Sequence, residues 1–259
     1  GVDYAGHPCD WKSLKFLKKK YNLKLLNDNC HALGARLDNN LKYAIKYADI
    51  VTQSYHPVKN FTTGEGGAIL TNDNKINKFA KNYRSHFMIK SKNISKKFGN
   101  WRYTVDDLGF NYRLTDIQCS LGITQLKKLN KFVKRRQEIA SYYNSNFENL
   151  DLIKTPKIRK NVNHSFHLYP LMIDFKKLKI SKKQFFQIML KEKINLQVHY
   201  TPIYHQNFVK KFKFDKKDYP ITEDFYRKEV SLPIFYDLKK DLQKNLIKKI
   251  KMCIYKNAK

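Results

Sequence analysis

Carboxylates are scarce in this sequence: 22 Asp and Glu stand against 52 Lys and Arg over 259 residues, a formal charge of +30. An acidic protein is excluded. Cysteine is sparse as well. Cys9, Cys30, Cys119 and Cys253 lie far apart with no CxxC pair, which argues against a metal site of the zinc type, gives little support to a disulfide framework, and makes a reducing cytoplasm the expected compartment. There is no internal repeat, no extended Gly/Ser linker and no apolar run near the roughly 18–20 residues that a membrane helix requires. The opening Gly1-Val2-Asp3-Tyr4 has neither a charged nor an apolar leader segment. No initiator Met is present, so Gly1 need not be the natural start.

What is present is enough for a folded protein. With 42% hydrophobic and 14% aromatic residues, the chain can bury a sizeable core in one or two globular units and is too apolar to be wholly disordered. The positive charge is mostly lysine, dispersed through stretches such as Lys15 to Lys20, Lys127 to Lys134 and Lys239 to Lys251, where it alternates with apolar positions. That is the pattern of solvated faces on amphipathic helices. No RNP pattern, zinc-finger spacing or zipper heptad accompanies it, so nucleic acid is not an expected partner.

Along the chain, periodicity predicts a helix from Trp11 to Tyr21, a buried strand at Leu23 to Leu26, a helix near Asn39 to Tyr47, and a strand from Asp49 to Ser54. A glycine-rich turn at Gly64 to Gly67 then leads to a strand at Ala68 to Thr71 and a helix around Lys75 to Arg84. Strands alternating with helices predict an α/β layer with a largely parallel sheet, and such sheets bind ligands at the carboxyl ends of their strands. Lys90 to Asn100 reads as a polar loop. A long helix is predicted from Thr115, a plausible N-cap, to Phe147. After it come a strand near Phe166 to Ile173, a helix from Ser181 to Lys191, a strand near Leu196 to Val198 and a final helix carrying Leu242, Leu246, Ile250 and Ile254. The expected division is 1–150, a partial large α/β domain with its connecting helix, and 151–259, a smaller α+β domain.

Three clusters fall at predicted strand ends: Asp28-Asn29-Cys30-His31-Ala32-Leu33-Gly34, Ser54-Tyr55-His56-Pro57-Val58-Lys59, and Thr62-Thr63-Gly64-Glu65-Gly66-Gly67. Singly each is a weak signal: a strand-end Asp is often a helix cap, a lone Lys a surface residue, a Gly pair a turn. In this order they resemble the DegT/DnrJ/EryC1/StrS family of pyridoxal-phosphate (PLP) sugar aminotransferases, and the resemblance runs from Val2-Asp3-Tyr4-Ala5-Gly6 to the final helix. It implies a fold-type I PLP-dependent transferase, aspartate aminotransferase-like. It further implies that Lys59 is the Schiff-base lysine, that Ser54 binds the cofactor phosphate, that Asp28 pairs with the pyridine nitrogen, and that His31 lies beside the ring. A carboxylate suits the nitrogen because it keeps the ring protonated as an electron sink, and a partly desolvated lysine serves as nucleophile and base. Asn27 departs from the Glu that commonly precedes this Asp.

Gly109-Phe110-Asn111-Tyr112-Arg113-Leu114-Thr115 resembles the family segment whose Asn reaches the cofactor phosphate of a neighbouring subunit, which implies a homodimer with shared sites and Asn111 acting in trans. His164-Ser165-Phe166-His167 and Gln197-Val198-His199-Tyr200-Thr201-Pro202 look like strands that approach the substrate. The second is similar to that of enzymes aminating UDP-4-keto-6-deoxy-N-acetylhexosamines in the pseudaminic acid pathway, making His199 and Tyr200 candidate substrate contacts. Ser231-Leu232-Pro233 reads as structural. The implied reaction moves an amino group from an amino acid, L-glutamate as the expected donor, to a nucleotide-linked keto sugar, for a cell-surface glycan or flagellin. A complete family member carries further amino-terminal residues that help to hold the cofactor phosphate and stack on its ring. The chain therefore reads as a fragment, expected to bind PLP poorly by itself. The rival readings are a truncated inactive remnant of such an enzyme and a basic nucleic-acid-binding protein; a dehydratase branch, with His in place of the lysine, is disfavoured by Lys59.

Overall fold

A computed structural model describes residues 1–259, the side chain of Lys210 excepted. The strands, in chain order, are β1 (Leu26–Asp28), β2 (Arg36–Leu37), β3 (Ile50–Ser54), β4 (Gly67–Leu70), β5 (Met88–Ile89), β6 (Thr104–Val105), β7 (Ile153–Lys154), β8 (Val162–Asn163), β9 (Tyr169–Ile173) and β10 (Glu229–Leu232). The α-helices are α1 (Trp11–Tyr21), α2 (Tyr43–Tyr47), α3 (Asn74–Tyr83), α4 (Lys92–Phe98), α5 (Asp116–Phe147), α6 (Lys182–Lys191), α7 (Pro220–Lys228) and α8 (Lys240–Asn257). They form two compact units: residues 1–130 with 161–163, and residues 131–160 with 164–259. The boundary passes through α5; the expected division at 150 lies just beyond that helix's carboxyl end.

In the first unit, β1 and β3 pair in parallel, with Asp28 opposite Thr52. β4 then pairs with β3 in the antiparallel sense, Ser54 opposite Gly67. The largely parallel sheet expected from the sequence thus holds for β1 and β3 and fails at β4. The connection over residues 55–66 contains no helix, and a parallel return needs a crossover, usually helical. Gly66 takes φ +151°, as the expected turn needs. Gly67 is required for space instead, because a Cβ there would sit 2.6 Å from the carbonyl oxygen of Gln53 on the paired strand.

Local signals set the helix ends. Asp10 caps α1 by accepting from the Ser13 amide at 3.2 Å, and Asn22 closes it in the left-handed conformation. Asp73 caps α3. Thr115 and Gln118 cap α5 reciprocally, each accepting the other's backbone amide. The expected loop at Lys90 to Asn100 is instead mostly helical: Ser91 accepts from the Ile94 amide and Gly99, at φ +97°, ends α4. Polar composition masked a helix whose cap and stop were both present. Helix α2 is also shorter than expected, because residues 39–42 are spent in turns.

The first unit's buried apolar cluster is small: Trp11, Ala32, Ala35, Leu37, Tyr43, Ala44, Ala48 and Val51. In the second unit β9 is central, antiparallel to β10 on one side and β7 on the other. The carboxyl half of α5 (Ile139, Tyr143, Phe147), α6 (Phe185, Met189) and α8 (Leu246, Ile250, Ile254) belong to one continuous apolar core with it. The strand expected at Leu196 to Val198 is reduced to a single bridge between Gln197 and Ser231. Among the described residues no helix is long and apolar enough to cross a membrane, and no cluster of His, Cys, Asp and Glu could hold a metal ion.

Candidate functional site

Asp28 ends β1 and Ser54 ends the neighbouring parallel strand β3, so both stand at carboxyl strand ends. The Asp28 backbone is held on each side. Its amide donates to the Gly1 carbonyl at 2.8 Å, its carbonyl accepts from the Asp3 amide at 3.0 Å, and β3 pairs along its other edge. Its Oδ1 accepts from the Cys30 amide at 3.1 Å. Ser54 Oγ accepts from the His56 amide at 3.4 Å and thereby starts the loop that carries Lys59. Tyr55 closes that loop: its amide donates to the Gly66 carbonyl and its carbonyl accepts from both the Thr63 amide and Thr62 Oγ1. The Lys59 amide returns to the His56 carbonyl at 3.0 Å.

Lys59 is half-buried. Burial lowers the pKa of its amine below the ordinary lysine value, while Cys30 and Asp28 pull it back up. Burial together with the Asp28 hydrogen bond pushes the Cys30 thiol up to about 11, so it stays protonated at neutral pH. His31, in the turn after β1, is buried, and its Nδ1 accepts from the Ala5 amide at 3.3 Å. That contact puts the imidazole proton of a neutral ring on Nε2. Asn111 stands apart on an exposed segment bridged to Ser85. Among the described residues no hydrogen bond or ion pair joins it to Asp28, His31, Ser54 or Lys59. His199 and Tyr200 belong to the second unit, their rings edge to face with centroids 4.8 Å apart.

Two groups that sequence reading passed over matter as much. Asp3 is fully buried, and its carboxylate accepts five hydrogen bonds: from the Cys9 amide and Trp11 Nε1 on Oδ1, and from Asn27 Nδ2, Asn29 Nδ2 and Tyr43 Oη on Oδ2. Asn27 and Asn29 flank Asp28, so one carboxylate pins the strand end on which Asp28 sits. Asn27, noted only as a departure from Glu, is one of its donors. The other group is Glu229 with Ser231 on β10. Its signal in the sequence was an acid directly ahead of the mostly apolar stretch Val230 to Ile234.

An amine drawn toward its neutral form, a fixed carboxylate, an imidazole with a defined tautomer and a hydroxyl therefore gather at two adjacent strand ends. The set fits a cofactor with an aldehyde, a basic ring nitrogen and a phosphate. The family model for the DegT/DnrJ/EryC1/StrS aminotransferases matches residues 1–251. The chain belongs to this family. Among its relatives, protein MJ1066 of Methanocaldococcus jannaschii is 38% identical over 99% of this chain and 66% of its own length. The UDP-4-amino-4,6-dideoxy-N-acetyl-beta-L-altrosamine transaminase of Campylobacter jejuni is 37% identical over 92% of this chain and 60% of its own length. Of solved structures, Helicobacter pylori PseC, an aminotransferase involved in the biosynthesis of pseudoaminic acid, superposes with TM-score 0.88 at 32% identity, covering 98% of this chain and 66% of that one. The Streptococcus pneumoniae protein Spr1654 in its PMP form gives 0.88 at 27% identity, covering 98% and 68%. The fold is thus the mixed α/β fold of the family's fold-type I members, and this chain spans 60–66% of the length of the two curated relatives. The DegT/DnrJ/EryC1/StrS match covers both units, because residues 1–251 begin ahead of the first strand-end cluster and run well into α8.

Proposed function

We propose that this chain is part of a PLP-dependent aminotransferase that moves an amino group from an amino acid, L-glutamate as the expected donor, onto a nucleotide-linked 4-keto-6-deoxy sugar. The observation that carries the reading is Lys59, held half-buried with its amine below the ordinary pKa and in electrostatic reach of Asp28, inside a chain of an aminotransferase family. A relative that acts on a UDP-linked amino sugar supports the substrate class, as does a structural neighbour titled for pseudoaminic acid biosynthesis. A pneumococcal neighbour in a PLP form supports the cofactor.

When bound, PLP supplies an aldehyde for the amino group and a ring that takes up the electron pair released at the donor carbon. In this reading the neutral Lys59 amine lifts the proton from the donor's α-carbon; burial supports that role by disfavouring the ammonium. The Asp28 carboxylate holds a proton at the ring nitrogen. The rigid hold on β1 suits this task, because a mobile carboxylate would spend part of its time out of line. His31 donates from Nε2 toward the ring oxygen, and the Ser54 hydroxyl donates to the phosphate. His199 and Tyr200 contact the sugar nucleotide.

The reading extends to a homodimer in which Asn111 serves the neighbouring subunit's phosphate. The surface around it supports this, since Leu108 is 88% exposed, Tyr112 65% and Ile117 84%, and exposed apolar surface of this extent marks contact sites. Synthesis in the cytoplasm follows from the same reading.

The test is a visible absorbance spectrum of the chain with added PLP, alongside its Lys59→Ala variant. A band absent from free PLP, present in the parent and missing from the variant, is expected. An identical spectrum in both would overturn the assignment of Lys59.

A further inference from the structure

Strand β10 places Glu229 and Ser231 on one face, two residues apart. Glu229 is fully buried and Ser231 nearly so. Ser231 Oγ donates to Glu229 Oε1 at 2.5 Å, His199 Nδ1 lies 2.7 Å from the same Oγ, and the His199 amide donates to Glu229 Oε2 at 3.1 Å. The backbones of Ser231 and Gln197 bridge across, which fixes the segment leading to His199 against β10. Carboxylate, hydroxyl and imidazole therefore form one chain within the second unit.

The direction of the protons in that chain follows from counting donors. Burial raises the pKa of Glu229, and Ser231, the His199 amide and the Lys182 ammonium offset only part of that rise; the Ser231 hydroxyl donating to Oε1 marks Glu229 as the carboxylate. A carboxylate only accepts, and a serine hydroxyl has a single proton to give. With that proton committed to Glu229, the contact between Ser231 Oγ and His199 Nδ1 exists only if Nδ1 carries a proton and donates it. In the neutral ring Nε2 is then the acceptor. This is the opposite assignment to His31, whose Nδ1 accepts from an amide.

We propose that Glu229 and Ser231 are positioning residues for His199, holding it as the Nδ1–H tautomer so that Nε2 accepts a hydrogen bond from a hydroxyl or amide N–H of the sugar nucleotide. The substrate half of this statement rests on the reading of His199 as a substrate contact; the tautomer half does not. Ser231, which the sequence presented as structural, is the link between the carboxylate and the imidazole.

Two measurements on the full chain test it. The first is long-range proton–nitrogen NMR of the histidine rings in the parent, in Ser231→Ala and in Ser231→Thr, with a circular dichroism spectrum confirming that each variant is folded. The parent is expected to show His199 protonated at Nδ1, the Ala variant to lose that preference and the Thr variant, which keeps the hydroxyl, to restore it. A parent ring protonated at Nε2, or an Ala variant that keeps the Nδ1 proton, overturns the proposal. If the Ala variant fails to fold, the parent and the Thr variant still decide, because both must show the Nδ1 form.

The second measurement is steady-state kinetics of the PLP-loaded chain with a UDP-linked 4-keto-6-deoxy-N-acetylhexosamine and L-glutamate. Ser231→Ala is expected to raise KM for the sugar about tenfold, the scale of one well-formed hydrogen bond, and to leave KM for glutamate unchanged. An unchanged sugar KM overturns the substrate half. Failure of the aminotransferase reading would look different: no Lys59-dependent absorbance and no turnover in the parent, with the NMR result still deciding whether Glu229 and Ser231 set the tautomer.

Discussion

The two units are held together differently. The second buries a continuous apolar core around β9, with Tyr169, Leu171, Ile173, Phe185 and Ile250 all fully buried. The first has eight buried residues in its apolar cluster, three of them alanines besides Ala48, and at its centre a carboxylate that accepts five hydrogen bonds. A small core means that less of the folding free energy comes from apolar burial, so polar contacts weigh more there. That arrangement also suits a site. Asp28 sits on the strand end that Asp3 fixes, so the contacts that hold the fold are those that place the proposed cofactor residue.

The largest effect is therefore expected from Asp3→Ala, which strands five donors and should cost roughly 3–5 kcal/mol, the scale of an uncompensated buried polar network. Urea unfolding followed by tryptophan fluorescence reads this unit selectively, since Trp11 and Trp101 both lie in it. Val51→Ala, in the same unit's apolar cluster, is expected to cost less, about 2 kcal/mol. In the second unit the order reverses. Leu171→Ala should cost about 2–5 kcal/mol through the cavity it leaves. Tyr143→Phe, which removes a 2.8 Å hydrogen bond to the Pro233 carbonyl, should cost only about 1 kcal/mol. If Val51→Ala exceeded Asp3→Ala, the contrast between the units would collapse.

The smallest effect sharpens the same contrast at the site. Because burial lowers the Lys59 pKa, its folded value lies below its unfolded value. The unfolded chain then binds more protons between the two, so this group's contribution to stability rises with pH across that interval, ending at the ordinary lysine value. The charge of Asp28 opposes the shift. Asp28→Asn should move the Lys59 midpoint lower still, and pH-dependent reductive methylation followed by NMR would measure both midpoints. An upward move in Asp28→Asn would place Asp28 outside the electrostatic reach of Lys59.

How much of this the sequence revealed depended on how local each signal was. The α1, α3, α5 and α6 helices were legible because cap and apolar periodicity lie within a few residues of each other. Helix α4 was overlooked because its one apolar pair, Ile94 and Phe98, stands among lysines and polar residues, although Ser91 and Gly99 marked both of its ends. The antiparallel turn into β4 was hidden by the assumption that strands separated by a loop in an α/β pattern run parallel. The cluster of Asp28, Ser54 and Lys59 was legible as a motif, since strand ends gather polar residues of defined type. Asp3 was not. Its donors come from positions 9, 11, 27, 29 and 43, and a network spread over some forty residues has no period to detect. Glu229 left a trace, an acid directly ahead of a mostly apolar stretch, but only the fold showed that Ser231 ties it to His199.

The central claim is that Lys59, beside Asp28, is the lysine that takes the cofactor, although burial lowers the amine of Lys182 further, to about 8. The most direct measurement is mixing with PLP, trapping by borohydride, and peptide mass spectrometry. The account predicts a stable pyridoxyl mass on the peptide carrying Lys59, at substoichiometric reagent and ahead of every other lysine. Equal labelling of exposed lysines such as Lys19 and Lys20, with Lys59 no faster than they are, would contradict it.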